Sequence, residues 1–170
     1  MMRFLAGVLS LMLLSLPVVA RPLNPTEVGE LAELLRDRRV LTRFSRTVTL
    51  EPWGEVLLVV SEDFNRPFGK LWIYLVQDGA IVYTLPQSQA DTTWSLFELK
   101  AVHLTDSATP RLIILGDYIT GIGERGAIPF TYALLYSQTD DTFTVDESRS
   151  WEISQEGISS IADVEAALAE

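Results

Sequence analysis

From Arg46 to Asp146 the chain is a succession of short apolar runs separated by turn residues, with no helical repeat between them. That pattern restricts the fold more than any other feature. Parallel strands need long crossover connections, usually a helix, whereas antiparallel strands close through tight turns. The runs Arg46–Leu50, Glu55–Val60, Lys70–Val76, Ala80–Leu85, Trp94–Leu104, Arg111–Gly116, Ile128–Ser137 and Thr142–Asp146 therefore predict an antiparallel meander of about eight strands. Glu51-Pro52-Trp53-Gly54 and Thr139-Asp140-Asp141 read as turns, Ser61–Gly69 as a loop, and Asp78-Gly79 as a tight hairpin.

Helices are expected only at the ends. Asn24-Pro25-Thr26-Glu27 places a capping residue, a first-turn proline and a capping-box carboxylate in order. Val28, Leu31, Leu34 and Leu35 follow at helical spacing, and the arginines at 36, 38 and 39 suit a helix C-terminus, so a helix is predicted over about 25–38. Ser160 opens a terminal helix, with Asp163 at the capping-box position and Ile161, Val164 and Leu168 on one face. The fold class is α+β, mainly β, in a single domain spanning 21–170.

Residues 1–20 carry Arg3, an apolar stretch from Phe4 to Leu16, and Pro17 ahead of Val18-Val19-Ala20. This is the pattern of a signal peptide cleaved after Ala20, and the stretch is short and proline-broken for a bilayer span. A periplasmic or secreted location and no transmembrane span after cleavage are expected. With no cysteine, a disulfide scaffold, thiol nucleophile, lipoprotein anchor or zinc–thiolate site is excluded. The net charge of −10 is wrong for a nucleic-acid binder, whose affinity comes from lysines and arginines on phosphates.

Gly121-Ile122-Gly123-Glu124-Arg125-Gly126 spells a dinucleotide-binding fingerprint, but that fingerprint works only where a helix starts at the glycines. Here Ala127 to Leu134 alternates and contains Pro129, so extended chain follows, and no NAD, FAD or other cofactor is expected. The stretch reads instead as a long loop over 117–127. Its residues Asp117, Tyr118, Thr120, Gly121, Gly123, Glu124, Arg125 and Gly126 are candidate partner contacts, with Arg125 at the tip. A wide connector is the alternative.

Leu99-Lys100-Ala101-Val102-His103-Leu104-Thr105-Asp106 and then Pro110-Arg111-Leu112-Ile113-Ile114-Leu115 resemble one degenerate FG-GAP/VCBS-type repeat, and Asp140-Asp141-Thr142-Phe143 is similar to the turn that follows in such repeats. The resemblance implies a non-catalytic extracytoplasmic β module. It does not carry the family's calcium loop across, because Ser107-Ala108-Thr109 follow Asp106 where several oxygen ligands are needed.

The remaining chemistry-bearing residues have bland and functional readings. His103, the one imidazole, is placed on the face of Phe97, Leu99 and Ala101, as a structural hydrogen-bonding group rather than a catalytic base. Asp140, Asp141, Asp146 and Glu147 are a solvated hairpin or a weak cation site. Trp53, Trp72, Trp94 and Trp151, with Tyr74 and Tyr83, are core or a sugar-stacking platform. Arg36, Arg38, Arg39, Arg43 and Arg46 either dock on the chain's own acidic sheet or meet an anionic surface. Together these point to an exported, non-catalytic module that binds a protein or envelope component. An inhibitor or immunity-type protein capping a toxin or wall-active enzyme comes second, and a carboxylate-based hydrolase last.

Overall fold

The computed structural model describes residues 20–63, 69–105, 110–120 and 128–169. β1 (Arg21–Pro22), α1 (Pro25–Leu34), β2 (Arg38–Val40), β3 (Arg46–Leu50), β4 (Gly54–Asp63), β5 (Leu71–Gln77) and β6 (Ala80–Thr84) come first. α2 (Gln89–Thr93) then leads into β7 (Ser95–Leu104), β8 (Arg111–Ile119), β9 (Phe130–Thr139), β10 (Thr142–Val145), α3 (Glu147–Ser154) and α4 (Ile161–Leu168).

The strands divide into two antiparallel sheets. The first runs β1-β3-β4-β5-β6, with β2 also paired to β4, and the second runs β10-β9-β8-β7. The eight predicted strands are β3 to β10. They make two meanders rather than one, because Pro86 and α2 interrupt pairing between β6 and β7 and carry the chain from one sheet to the other. Val48, Leu58, Val60, Ile73 and Leu75 of the first sheet face Leu99, Val102, Leu112, Ile114 and Leu134 of the second in one continuous core.

Both sheets are also apolar on their outer faces, and helices cover those faces. Leu31 and Leu35 lie on Val59, Tyr74 and Val76, while Ile153, Val164 and Ala167 lie on Ile113, Leu115, Ala133 and Leu135. The result is a four-layer helix–sheet–sheet–helix stack. Strands sealed on both faces read as near-continuous apolar runs, as Leu112-Ile113-Ile114-Leu115 does.

Local chemistry explains the ends and turns. The Asn24 side chain accepts from Glu27 N at 3.0 Å while the Asn24 amide donates to Glu27 Oε2 at 2.7 Å. Ser160 and Asp163 form the same reciprocal cap on α4. Asp78 and Gly79 both adopt positive φ, 51° and 73°, as a two-residue hairpin turn requires. α1 stops at Leu34, short of the predicted 38. β4 continues to Asp63, and its last residues pair with Arg38-Arg39-Val40, which converts the expected helix end into a strand. The basic segment thus docks internally: Arg39 pairs with Glu62, and the Arg46 guanidinium donates to Val102 O at 2.6 Å in the opposite sheet.

β7 departs from simple alternation. Its register against β8 skips Phe97 and Lys100, two bulges that shift the inward set to Leu96, Leu99 and Val102. His103 therefore does not share a face with Leu99. Its Nε2 lies 3.2 Å from Glu165 of α4. Among the described residues no helix is long and apolar enough to cross a membrane.

Candidate functional site

β10 is shorter than β9 and pairs only with Tyr136–Thr139. The rest of that edge of β9 is finished by α3. Asp146 N donates to Leu135 O at 2.9 Å, Leu135 N to Ser150 Oγ at 3.0 Å, and Ala133 N to Ser154 Oγ at 3.0 Å. Two serines one helical turn apart thus take the place of a strand's carbonyls. α3 touches α2, which crosses between the sheets, at its first residue, Glu147, and residues of both helices line a cavity. A groove is left between the two helices.

Its walls are aromatic. Trp94, the C-cap of α2, meets Phe130 and Tyr132 edge-to-face, with centroids 4.9 and 5.1 Å apart, and lies 6.3 Å from Trp151 of α3. Trp151 is 50 % exposed. One cavity of about 220 Å³ lies between Gln89, Thr93, Trp94, Tyr132, Glu147 and Trp151. A second, of about 550 Å³, shares Trp94, Tyr132 and Trp151 and extends along Thr120, Phe130 and Gln155 to Ile158.

One carboxylate, Glu147, lines the groove, and a second, Asp91, is buried close by. Asp91, 2 % exposed, sits behind Trp94, where its carboxylate accepts from Ser88 Oγ at 2.7 Å and from the Tyr118 hydroxyl at 3.1 Å. Burial pushes its carboxyl up to about 6, the Glu147 charge adds to the rise, and the two hydroxyl donors oppose it. Glu147 Oε1 accepts from Gln89 N at 2.7 Å, which pins α3 to the start of α2. Burial, then the charges of Glu147 and Asp91, push the Tyr132 phenol up to about 12, so it remains a neutral hydroxyl. No lysine or arginine is among the described residues lining either cavity.

The predicted loop over 117–127 is corrected at its start. β8 runs through Ile119, because Glu98 and Leu96 of the bulged β7 pair with Asp117 and Tyr118. Tyr118 is fully buried against Trp94 and Tyr132, so it is core and not a contact. Asp117 is held by Lys100 Nζ at 2.6 Å and by the Thr131 hydroxyl at 2.7 Å. Thr120 is exposed and lines the larger cavity. Gly121, Gly123, Glu124, Arg125 and Gly126 lie outside the described residues, as does Asp106.

The aromatic candidates separate cleanly. Trp53 and Tyr83 pack with Phe143 at one end of the core, and Trp72 and Tyr74 lie under Arg38, whose guanidinium carbon is 4.2 Å from the Trp72 ring centre. Trp94 and Trp151 alone among the six line the groove. Sequence reading missed Asp91 and Tyr132. Ser88-Gln89-Ala90-Asp91 is a capping signal that marks α2, but nothing in the linear pattern shows that Asp91 is buried. Among the described residues no three His, Asp or Glu side chains gather to hold a metal ion. The arrangement defines a four-layer sandwich with an acidic aromatic groove at one side. Compared with protein-family models, curated proteins and solved structures, the chain matches none.

Proposed function

We propose that this chain is an exported, non-catalytic binding module that takes a protein or envelope component into the groove between α2 and α3. The observation that carries the reading is the convergence of Trp94, Tyr132 and half-exposed Trp151 on adjoining cavities with Glu147 at the edge. Aromatic walls with a few placed polar groups are the usual make-up of a recognition site. The sole imidazole, His103, pairs with Glu165 and lines neither cavity, and the buried Asp91 carboxylate is occupied by two hydroxyl donors. Those placements favour binding over acid–base chemistry.

Export rests on the n-region, apolar stretch and Ala20 of the sequence. Arg21 and Pro22 pair with Thr47 and Arg46, and Arg21 bonds Glu27 at 2.7 Å, so the fold engages the chain from the residue after the predicted cleavage point. The FG-GAP-like resemblance rests on β7 and β8, which are neighbouring antiparallel strands.

The test is retention from an envelope extract on immobilised residues 21–170, wild type against Trp151→Ala. The expected result is a component held by the wild type and lost from the variant. Identical profiles would contradict the reading. A retained basic toxin or wall-active enzyme would assign inhibition as the purpose of the binding.

A further inference from the structure

The groove's ligand class can be read from a second aromatic cluster in the same molecule. On the outer face of the first sheet, Trp72 and Tyr74 are covered by Arg38, with the guanidinium carbon 4.2 and 5.9 Å from the two ring centres. The negative faces of those rings are satisfied by a cation of the chain itself. The cluster at the groove has the same ingredients apart from the cation. Trp94, Tyr132 and Trp151 surround the 220 Å³ cavity, Glu147 stands at its edge, and no lysine or arginine is among the described residues that line it.

We propose that this cavity takes a basic side chain, lysine or arginine, from an extended segment of a protein partner lying along the larger groove. The inference rests on the binding-module reading and names its ligand. Three observations favour a cation over a neutral sugar. Glu147 uses one carboxylate oxygen on Gln89 N and lines the cavity, so it is placed to act as counter-ion. Buried Asp91, bonded to the hydroxyl of Tyr118 whose ring packs on Trp94, adds negative charge nearby. The chain as a whole carries −10, which draws a basic partner in and repels an acidic one. The geometry fits as well. The small cavity is the size of one long side chain, and it shares Trp94, Tyr132 and Trp151 with a cavity of about 550 Å³ that has room for neighbouring residues.

The probe is a short Gly/Ser peptide carrying one central lysine, compared with its acetyl-lysine and arginine counterparts, titrated by calorimetry against residues 21–170. The lysine and arginine peptides should bind, and acetylation, which removes the charge while keeping the length, should weaken binding about tenfold or more. Glu147→Gln keeps an oxygen for Gln89 N and should weaken the basic peptides about fivefold without affecting the acetylated one. Trp151→Ala should weaken all three, and Trp151→Phe should recover most of the loss. Equal affinity for the lysine and acetyl-lysine peptides would overturn the cation. A neutral oligosaccharide that binds in a Trp151-dependent way, while the basic peptides do not, would leave the groove as a binding site and overturn this ligand class. If Trp151→Ala alters neither peptide binding nor retention from the envelope extract, both readings fall. If Arg125→Ala tightened the lysine peptide, the chain's own arginine would be the occupant, and that result would also overturn the proposal.

Discussion

The two sheets solve the same problem differently, and the difference creates the site. In the first sheet strands flank β4 and β5 on both sides, one helix covers the outer face, and Arg38 closes over Trp72 and Tyr74. In the second, β10 ends early and α3 finishes the edge of β9 through Ser150 and Ser154. A strand edge satisfied by serine hydroxyls is as well hydrogen-bonded as one satisfied by another strand, but it leaves a gap beside the helix. The aromatic cluster that falls in that gap has no cation of the described chain over it. One cluster is closed by the chain's own arginine, and the other is the one we propose a partner occupies.

The largest expected effect concerns the buried carboxylate under the open cluster. The folded-state value of about 6 for Asp91 lies above its ordinary 3.8, so its contribution to stability is fully present below about pH 4 and is lost as pH rises through 6. The loss amounts to roughly 3 kcal/mol by pH 7. Asp91→Asn, which mimics the protonated acid, should flatten the pH dependence between pH 4 and 7 in thermal melts and leave the protein at least as stable at pH 7. A variant as steep as the wild type would show that Asp91 titrates normally. Ser150→Ala comes next. It strips the acceptor from the buried Leu135 amide and should cost about 1–3 kcal/mol in urea unfolding. No loss would mean that α3 does not finish that edge.

Arg38→Ala should cost about 1–2 kcal/mol, because it removes both a cation over two rings and the alkyl stem that packs on them. Its binding to basic peptides should be unchanged. Trp151→Ala is the mirror case: at most about 1 kcal/mol of stability lost, with binding abolished or strongly weakened. If the two variants behaved alike in both assays, the distinction between the closed and open clusters would fail.

Much of this architecture was legible in the linear pattern, for physical reasons that can be named. Both capping boxes announce themselves because Asn24 with Glu27 and Ser160 with Asp163 act over three residues. The Asp78-Gly79 hairpin is equally local. The division into two sheets was not legible, since Leu85 to Trp94 reads as one more connection and α2 is only five residues long. α3 was hidden too, because its polar sequence, Glu147-Ser148-Arg149-Ser150, carries little apolar repeat and its serines serve the sheet edge instead of the core. The bulges at Phe97 and Lys100 shift side-chain parity without a glycine or proline to mark them, so Leu99 parts from the face of Ala101 and His103, and β8 runs past the predicted Gly116 to take in Asp117. Of the groove, Trp94, Trp151, Glu147 and Thr120 were visible as separate candidates. Their convergence, and the part of Asp91 and Tyr132, depend on contacts far apart in the chain.

The central claim is that the open aromatic cluster, and not the closed one, receives a basic side chain. The four indole N–H resonances of Trp53, Trp72, Trp94 and Trp151 test it directly in a two-dimensional proton–nitrogen NMR titration with the lysine peptide. Saturable shifts of the Trp94 and Trp151 signals are expected, with Trp53 and Trp72 unmoved. Shifts at Trp72, or none at Trp94 and Trp151 while the peptide binds, would contradict it.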